Sequence, residues 1–197
     1  ISLFSPDTIG KGAVPFRGSV IPRFILALLL FNLTFGEEGV GKTWKVATWN
    51  LQNFLVQNRY EDGQFRFSYP MPEDRKWRIR KLILSQKPDI LFLQELGNEA
   101  FLLELQMDLK AEGLEYPFFR FSGIPDARSG LGFLSRIAPL ECIFHDISLK
   151  RGLQELRVEL GDAQYRFFHV HLKSRYTDNA SDPQSSLVRE LEISSLG

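Results

Sequence analysis

One stretch decides the fold class, Lys87-Pro-Asp-Ile-Leu-Phe-Leu-Gln94-Glu95, which lies near the middle of the chain. The continuous apolar run that follows Asp89 is typical of a strand buried on both faces. Pro88 ends the helix predicted before it, because proline disfavours helical geometry in the residue that precedes it. The stretch therefore predicts a helix end, a short connection and a buried strand.

The segments on either side of this strand alternate between strand and helix patterns. Lys45-Val-Ala-Thr-Trp-Asn50 is rich in β-forming residues and predicts a strand, whereas the polar residues 56–72 predict a loop. After Asp74, apolar residues recur on one helical face as far as Pro88. Strand, helix, strand, helix and a run of strands together predict a mixed α/β layered domain. The other predicted elements are a helix over 98–112, strands over 117–121, 131–135, 155–160 and 164–173, and a helix over 184–196.

Composition limits the class of protein. The 197 residues are 44% hydrophobic and include 24 basic and 24 acidic residues, which is enough apolar material for one core. The apolar and aromatic content excludes a collagenous or disordered chain. A net charge of zero argues against nucleic-acid binding by bulk electrostatics alone. The single cysteine, Cys142, excludes an intrachain disulfide and a cysteine-cluster zinc site.

Residues 24–35 form an apolar run that follows Arg17 and Arg23 and precedes Gly36. This order is typical of a secretory signal peptide. The run is too short for a membrane span, which needs roughly 20 residues. The alternative is that the run is a buried strand or a core helix at the start of the fold.

The domain organisation follows from the signal-peptide interpretation. We expect a leader over residues 1–36, a linker over 37–44 and a single domain over 45–197. Export would place the protein outside the cytoplasm, as a secreted or periplasmic protein with no stable membrane span.

The segment Gly36–Thr43 also matches the phosphate-loop pattern G-x-x-x-x-G-K-[ST]. Such a loop needs a helix after it, so that backbone N–H groups and the helix dipole face the phosphates. Residues 44–49 are β-rich instead, and Glu37 and Glu38 would place two carboxylates in the anion cradle. A nucleotide hydrolase of the P-loop type is therefore only a remote alternative.

Polar residues close two of the predicted strands. Asn50 ends the first strand, and Glu95 directly follows the apolar strand Asp89–Gln94. Ligands of α/β sheets bind at the carboxyl ends of strands, and a carboxylate there is costly to bury unless it is paired or metal-bound. Glu95 is therefore a candidate ligand for a hard cation such as Mg²⁺. The alternative is a helix-capping or solvent-exposed glutamate.

Further polar residues lie on the predicted strand that contains Arg166–Ser174. Strand alternation places His169, His171 and Lys173 on one face. A histidine and a lysine on one face suit a phosphate ester, because one donates a hydrogen bond and the other attracts negative charge. The alternative is a half-exposed strand with incidental polar residues.

The helix after Asp74 carries a run of basic residues. Such a run suits contact with nucleic acid, but a solvated helix face beside an apolar stripe is the favoured interpretation. The run consists of Arg75, Lys76, Arg78, Arg80 and Lys81.

Taken together, these segments resemble the endonuclease/exonuclease/phosphatase family, which is built on the DNase I-like fold. The resemblance implies a four-layer α/β sandwich, in which helices flank two mixed β-sheets. It also implies a metal-dependent phosphoesterase, with a nuclease as the favoured subtype. The matching segments, in family order, are Val46-Ala-Thr-Trp-Asn50-Leu-Gln-Asn53, Lys87–Glu95, Gly130-Leu-Gly-Phe-Leu-Ser-Arg136 and His171-Leu-Lys-Ser174.

The resemblance implies roles for single residues. Glu95 would ligate a catalytic divalent ion, Mg²⁺ or Mn²⁺, and Asn50 would orient the surroundings of that ion and the phosphate. His171 would donate a hydrogen bond to a phosphate oxygen. Asn53 and Lys173 are assigned to substrate binding. The implied partner is a phosphate-ester substrate, with nucleic acid among the candidates, and no obligate protein partner is predicted.

The chain departs from the family pattern in two respects. Many members have Asn at the position of His169. The later family motifs Gly-Asp-Phe-Asn and Ser-Asp-His, which supply a water-activating Asp–His pair, do not occur in this sequence. We therefore expect the N-terminal part of a longer protein, truncated at the C-terminus, catalytically silent alone and with an unpaired sheet edge.

Several alternatives stay open at this point. A non-catalytic ligand-binding module on the same fold would use the residues Asn50, Glu95 and His171 to hold a ligand. DNA, RNA, nucleotide, lipid-phosphate and sugar-phosphate substrates are all compatible with the motifs, because loops outside them decide the substrate.

Overall fold

Strands and helices alternate in the first half of the chain, and strands dominate the second half. The computed structural model describes residues 28–35, 42–125, 127–147, 149–174 and 180–196. The elements in these residues are β1 (Leu28–Phe35), β2 (Lys42–Phe54), β3 (Gln57–Glu61), β4 (Gln64–Tyr69), α1 (Glu73–Gln86), β5 (Ile90–Leu96), α2 (Glu99–Ala111), β6 (Phe118–Ser122), β7 (Gly130–Ser135), β8 (Pro139–His145), β9 (Leu153–Leu160), β10 (Ala163–Val170) and α3 (Ser186–Ser194).

Strand β5 is the middle strand of a five-stranded sheet with the order β1-β2-β5-β7-β6. It pairs in parallel with β2, where Asn50 lies opposite Gln94, and it pairs antiparallel with β7. Every side chain of β5 except that of Glu95 is buried, as its apolar run predicts. A second, antiparallel sheet has the order β10-β9-β8.

Two apolar cores hold the layers together. The first core includes Trp49 and Leu93 of the five-stranded sheet together with Ile83 of α1 and Leu105 of α2. The second core lies between the two sheets and includes Phe92. The predicted mixed α/β fold is therefore confirmed. The described elements form three of the four predicted layers, namely helices, a five-stranded sheet and a three-stranded sheet. In the described part of the chain, no helix is long and apolar enough to cross a membrane.

The loop predicted over residues 56–72 is wrong, because β3 and β4 form a hairpin there. Asp62 and Gly63 have φ angles of 53° and 74°, and positive φ at both central residues is what a two-residue hairpin turn requires. Tyr60 lies opposite Phe65 across the turn. An Asp-Gly pair between aromatic residues is a hairpin signal in its own right, and it outweighs the polar composition of the segment.

The apolar run of residues 24–35 includes strand β1, which pairs antiparallel with β2. A strand at the start of the fold is the alternative that the sequence left open, and the signal peptide and the domain boundaries stay predictions. Because β2 begins at Lys42, a strand and not a helix follows the glycine-rich segment, so the requirement of a phosphate loop is not met. Residues 1–27 and 36–41 lie outside the described residues.

The basic run of α1 is a solvated face only in part: Arg78 and Lys81 are exposed, but the interpretation is wrong for Lys76 and Arg80. The side chains of Lys76 and Arg80 are buried, and both form ion pairs with carboxylates of α2. Arg80 donates to three carboxylates, one in α1, one in α2 and one directly after α2, because its guanidinium offers several donors in a fixed plane. The acceptors are Glu73 at 2.8 Å, Asp108 at 3.0 Å and Glu112 at 2.7 Å.

Replacing Arg80 with alanine is expected to lower the free energy of unfolding by about 2 kcal/mol. The loss has two parts, since charge-assisted hydrogen bonds disappear and three carboxylates lose their shared cation. Arg78→Ala is the matched control, because Arg78 pairs with Asp74 at an exposed site and should cost at most about 0.5 kcal/mol. Urea unfolding at pH 7 measures both variants, and equal losses would contradict the buried role of Arg80.

Candidate active site

Three chain segments meet at one edge of the two sheets. The carboxyl ends of β2 and β5 lie together because these strands are parallel, and the segment after β10 arrives from the second sheet. Asn50 Nδ2 donates to Glu95 Oε1 at 2.9 Å. His171 Nε2 lies 3.5 Å from Asn50 Nδ2 and 3.7 Å from Glu95 Oε1. The structure therefore brings together the three residues predicted to bind metal and phosphate.

An irregularity in the β2–β5 ladder aims Glu95 at this edge. The register shifts between Asn50 and Phe54, and Gln52, Asn53 and Glu95 have φ angles of 54°, 65° and 63°. A left-handed backbone costs a non-glycine residue about 1–2 kcal/mol. The N–H of Asn53 donates to Glu95 Oε2 at 2.8 Å, which offsets part of that cost. Bulges and strained residues of this kind re-aim side chains at functional sites.

The imidazole of His171 lies at this edge with Nε2 turned toward Asn50 and Glu95. Burial lowers the pKa of His171, and the charge of Arg151 lowers it further; Glu95 and Glu192 oppose the shift. Nδ1 of His171 is buried without a hydrogen-bond partner among the described residues. Nε2 faces the donating amide of Asn50 at 3.5 Å and the accepting Glu95 Oε1 at 3.7 Å, so it accepts or donates at this edge according to the tautomer. Nε2 is thus the ring nitrogen of His171 that this edge of the sheets presents to a ligand.

A chain of buried side chains joins the two sheets directly behind the site. Gln94 Nε2 lies 2.6 Å from His169 Nε2, and His169 Nδ1 lies 3.2 Å from Gln154 Oε1. The amide of Gln94 is a donor, so the imidazole proton is on Nδ1 and points to Gln154. Burial, with a smaller effect of His171, lowers the pKa of His169 to about 3. Gln94 directly precedes Glu95, and His169 lies two residues before His171. The contact between Gln94 and His169 therefore sets the distance between Glu95 and His171.

A cleft of about 530 Å³ opens beside Asn53 and Glu95. Its lining also includes Arg128, Lys150 and Arg151, and its volume lies in the range of small-molecule sites. Nη1 of Arg151 donates to the backbone carbonyl of His171 at 3.3 Å. Sequence reasoning missed these three cations, because they lie in connections between strands and belong to no periodic pattern or motif.

Glu95 is the candidate ligand for a divalent ion. Among the described residues, no three His, Cys, Asp or Glu side chains are arranged to hold a metal. Each oxygen of Glu95 accepts one hydrogen bond, from Asn50 or from Asn53, so further lone pairs are left for a cation. Mg²⁺ is usually bound by one or two carboxylates together with waters and substrate phosphates. The donor set therefore fits a hard divalent ion.

Asn53 and Lys173 are the residues assigned to substrate binding. Asn53 lines the cleft beside Glu95. Lys173 Nζ donates to the carbonyl oxygen of Ser174 at 3.2 Å, and the N–H of Lys173 donates to Glu192 Oε2 at 2.6 Å. The backbone of Lys173 thus attaches helix α3 to the segment that carries the site, and the binding roles of both residues stay predictions.

Comparison with known proteins identifies the family. The sequence model described as "Endonuclease/Exonuclease/phosphatase family" matches residues 47–191, which is most of the chain. The chain belongs to this family, whose members hydrolyse phosphoester bonds and generally use divalent metal ions. The predicted family is confirmed. No curated protein matches the chain.

Solved structures with a similar arrangement include three whose chains are longer. An endonuclease/exonuclease/phosphatase family protein from Leptotrichia buccalis C-1013-b has 12% identity and a TM-score of 0.49, over 76% of this chain and 60% of its own. Humanized D. rerio TDP2 with 14 mutations has 21% identity and a TM-score of 0.48, and the match covers 74% of this chain and 53% of that one. The human Nocturnin catalytic domain with bound sulfate anion has 19% identity and a TM-score of 0.48, and the match covers 79% of this chain and 56% of that one. The chain thus spans between 53% and 60% of the lengths of these structures.

The buried His169 makes stability depend on pH. Its pKa falls from 6.5 to about 3 on folding, so below pH 6.5 the unfolded chain binds a proton that the folded chain does not. The contribution of His169 to the free energy of unfolding is therefore fully present above the unfolded-state pKa. It is lost as the pH falls, by about 2 kcal/mol from pH 6.5 to pH 5. His169→Gln lacks this titration and should lose about 2 kcal/mol less over the same interval. Urea unfolding at the two pH values measures it.

The matched control for this prediction is His169→Ala. Alanine also removes the titration, but it leaves Gln94 and Gln154 without their partner, so this variant should be less stable than His169→Gln at both pH values. An identical pH dependence in the wild type and His169→Gln would contradict a buried, neutral His169.

Proposed function

We propose that this chain carries the metal-binding and phosphate-binding part of a divalent-metal-dependent phosphodiesterase of the nuclease type. The meeting of Asn50, Glu95 and His171 within 3.7 Å is the observation that supports it. A carboxylate, a neutral amide and a neutral imidazole at strand ends, beside a cleft with three cations, match the needs of an anionic ester and its metal ion.

Each of the three residues has a separate role in this proposal. Glu95 would hold the divalent ion, which when bound supplies positive charge for a phosphate oxygen. Asn50 keeps Glu95 oriented through its 2.9 Å hydrogen bond and adds a neutral donor that needs no charge desolvation. His171 would donate from Nε2 to a phosphate oxygen, in the tautomer that carries the proton on Nε2.

Binding is the property of this chain that tests the proposal. The motifs that the family resemblance assigns to water activation, Gly-Asp-Phe-Asn and Ser-Asp-His, are not in this sequence. A non-catalytic binding module would also require the three residues to hold metal and phosphate. Hydrolysis of a phosphodiester by this chain, lost in Glu95→Gln, would favour the hydrolase over the module and contradict the expectation that the chain alone is silent.

Glu95→Gln is expected to weaken Mn²⁺ binding at least tenfold. The substitution replaces a charged oxygen ligand with a neutral amide of the same shape, and hard cations prefer carboxylate oxygens. Isothermal titration of the full chain with Mn²⁺, with and without thymidine 5′-monophosphate, measures the effect. Glu99→Gln is the matched control, because Glu99 is exposed at the start of α2 and should leave Mn²⁺ affinity unchanged. Unchanged affinity in Glu95→Gln would contradict the proposal.

We also propose export from the cytoplasm, on the basis of the apolar run 24–35 and the flanking Arg17 and Arg23. Expression of the full chain in a bacterial host, followed by mass spectrometry of the N-terminus, tests it. Recovery from the periplasm or medium with an N-terminus near residue 37 would support export. Retention of residues 1–36, with β1 in the sheet, would contradict it.

A further inference from the structure

The cleft beside Glu95 contains an excess of positive charge. Arg128, Lys150 and Arg151 all line it, and Glu95 is the acidic residue among its described lining residues. Within the described residues, none of the three cations has a carboxylate oxygen within 4.0 Å. Although the net charge of the chain is zero, these three cations form no ion pair with a described residue in this concave site.

Arg128, Lys150 and Arg151 form a basic wall of the cleft. Contacts to the surrounding structure hold this basic wall in place. Nη1 of Arg151 donates to the carbonyl of His171 at 3.3 Å, and Arg128 donates to the side-chain oxygen of Gln57 on β3. The N–H of Lys150 donates to Glu192 Oε1 at 3.3 Å. The side chains of Arg151 and Arg128 donate to uncharged oxygens, and the carboxylate of Glu192 accepts from the backbone N–H of Lys150. Three cationic side chains therefore outnumber the two nearby carboxylates, Glu95 and Glu192.

The side chains that hold the scissile phosphate in the proposed function lie at another part of this site. Asn50 and His171 are not among the lining residues of the cleft, whereas Glu95 belongs to both groups. A substrate held by Asn50 and His171 would extend past Glu95 toward the basic wall. An Arg guanidinium matches the planar fork of phosphate oxygens, and a Lys ammonium binds phosphate as a point charge.

We propose that Arg128, Lys150 and Arg151 bind a second phosphate group of the substrate. The proposal rests on the proposed function and narrows it: the substrate carries at least two phosphates, as a nucleic-acid strand or a nucleoside bisphosphate does. A phosphate monoester with an uncharged remainder, such as a sugar monophosphate, would leave the basic wall unpaired. The cleft volume of about 530 Å³ accommodates a group of nucleotide size.

Two nucleotides that differ by one phosphate test the proposal. The full chain is titrated with thymidine 5′-monophosphate and with thymidine 3′,5′-bisphosphate, each in the presence of Mn²⁺, by isothermal titration calorimetry. The wild type is expected to bind the bisphosphate about tenfold more tightly, a ratio that one charge-assisted contact accounts for. Higher salt should reduce the ratio, because the extra contact is electrostatic.

Lys150→Gln is the decisive variant, because its side chain lines the cleft without a described ion pair, and it should reduce the affinity ratio to about twofold or less. Arg128→Gln should act in the same direction. Lys81→Gln removes the same charge from an exposed position of α1 and should leave the ratio unchanged. Arg151 is unsuitable as a variant, because its contact with the His171 carbonyl ties it to the site itself.

The outcomes separate this inference from the proposed function. Monophosphate binding that requires Mn²⁺ and Glu95, together with equal affinity for the two nucleotides, would overturn the second phosphate site and leave the proposed function standing. A ratio that survives in Lys150→Gln and Arg128→Gln would overturn it as well. Absence of any Glu95-dependent binding of either nucleotide would overturn both proposals.

Discussion

The buried hydrogen bond between Gln94 and His169 is the contact on which the arrangement of the site depends. Apolar packing between the two sheets has no preferred direction, so by itself it tolerates small shifts of one sheet over the other. The row of buried polar side chains does not tolerate such shifts. It runs from Gln94 through His169 to Gln154, and Gln154 Nε2 donates to Ser122 Oγ at 2.9 Å. A shift would leave several buried polar groups unpaired, at about 1–3 kcal/mol each. The sheets are thereby aligned at the place where Glu95 and His171 must meet.

Charge is distributed in this protein according to two different needs. On α1, buried cations are surrounded by carboxylates and serve to hold two helices together, as the three partners of Arg80 show. At the cleft beside Glu95, cations have no such partners among the described residues. The net charge of zero is a sum over the whole chain and does not describe the charge of either group. A neutral protein can therefore offer an anion a strongly basic site, because only local charges act across a few ångströms.

Sequence reasoning could predict what periodicity and short motifs encode. The both-face burial of β5, the amphipathic α2 and the meeting of Asn50 with Glu95 follow from apolar runs and from parallel strand ends. The hairpin β3–β4 was missed although Asp62-Gly63 signals it. The buried state of Arg80 and the basic wall of the cleft could not be predicted, since they depend on which segments pack together. The left-handed backbone of Glu95 could not be predicted either, because the register shift in β2 causes it and a glutamate does not favour that conformation.

In the proposed function, Asn50, Glu95 and His171 form one site for a divalent ion and a phosphate. A crystal of the full chain grown with Mn²⁺ and inorganic phosphate tests it most directly, through anomalous scattering at the manganese edge. We expect one Mn²⁺ at about 2.1 Å from a Glu95 oxygen, with a phosphate oxygen about 2.8 Å from His171 Nε2. Manganese bound at other carboxylates, with none at Glu95 under saturating conditions, would contradict it.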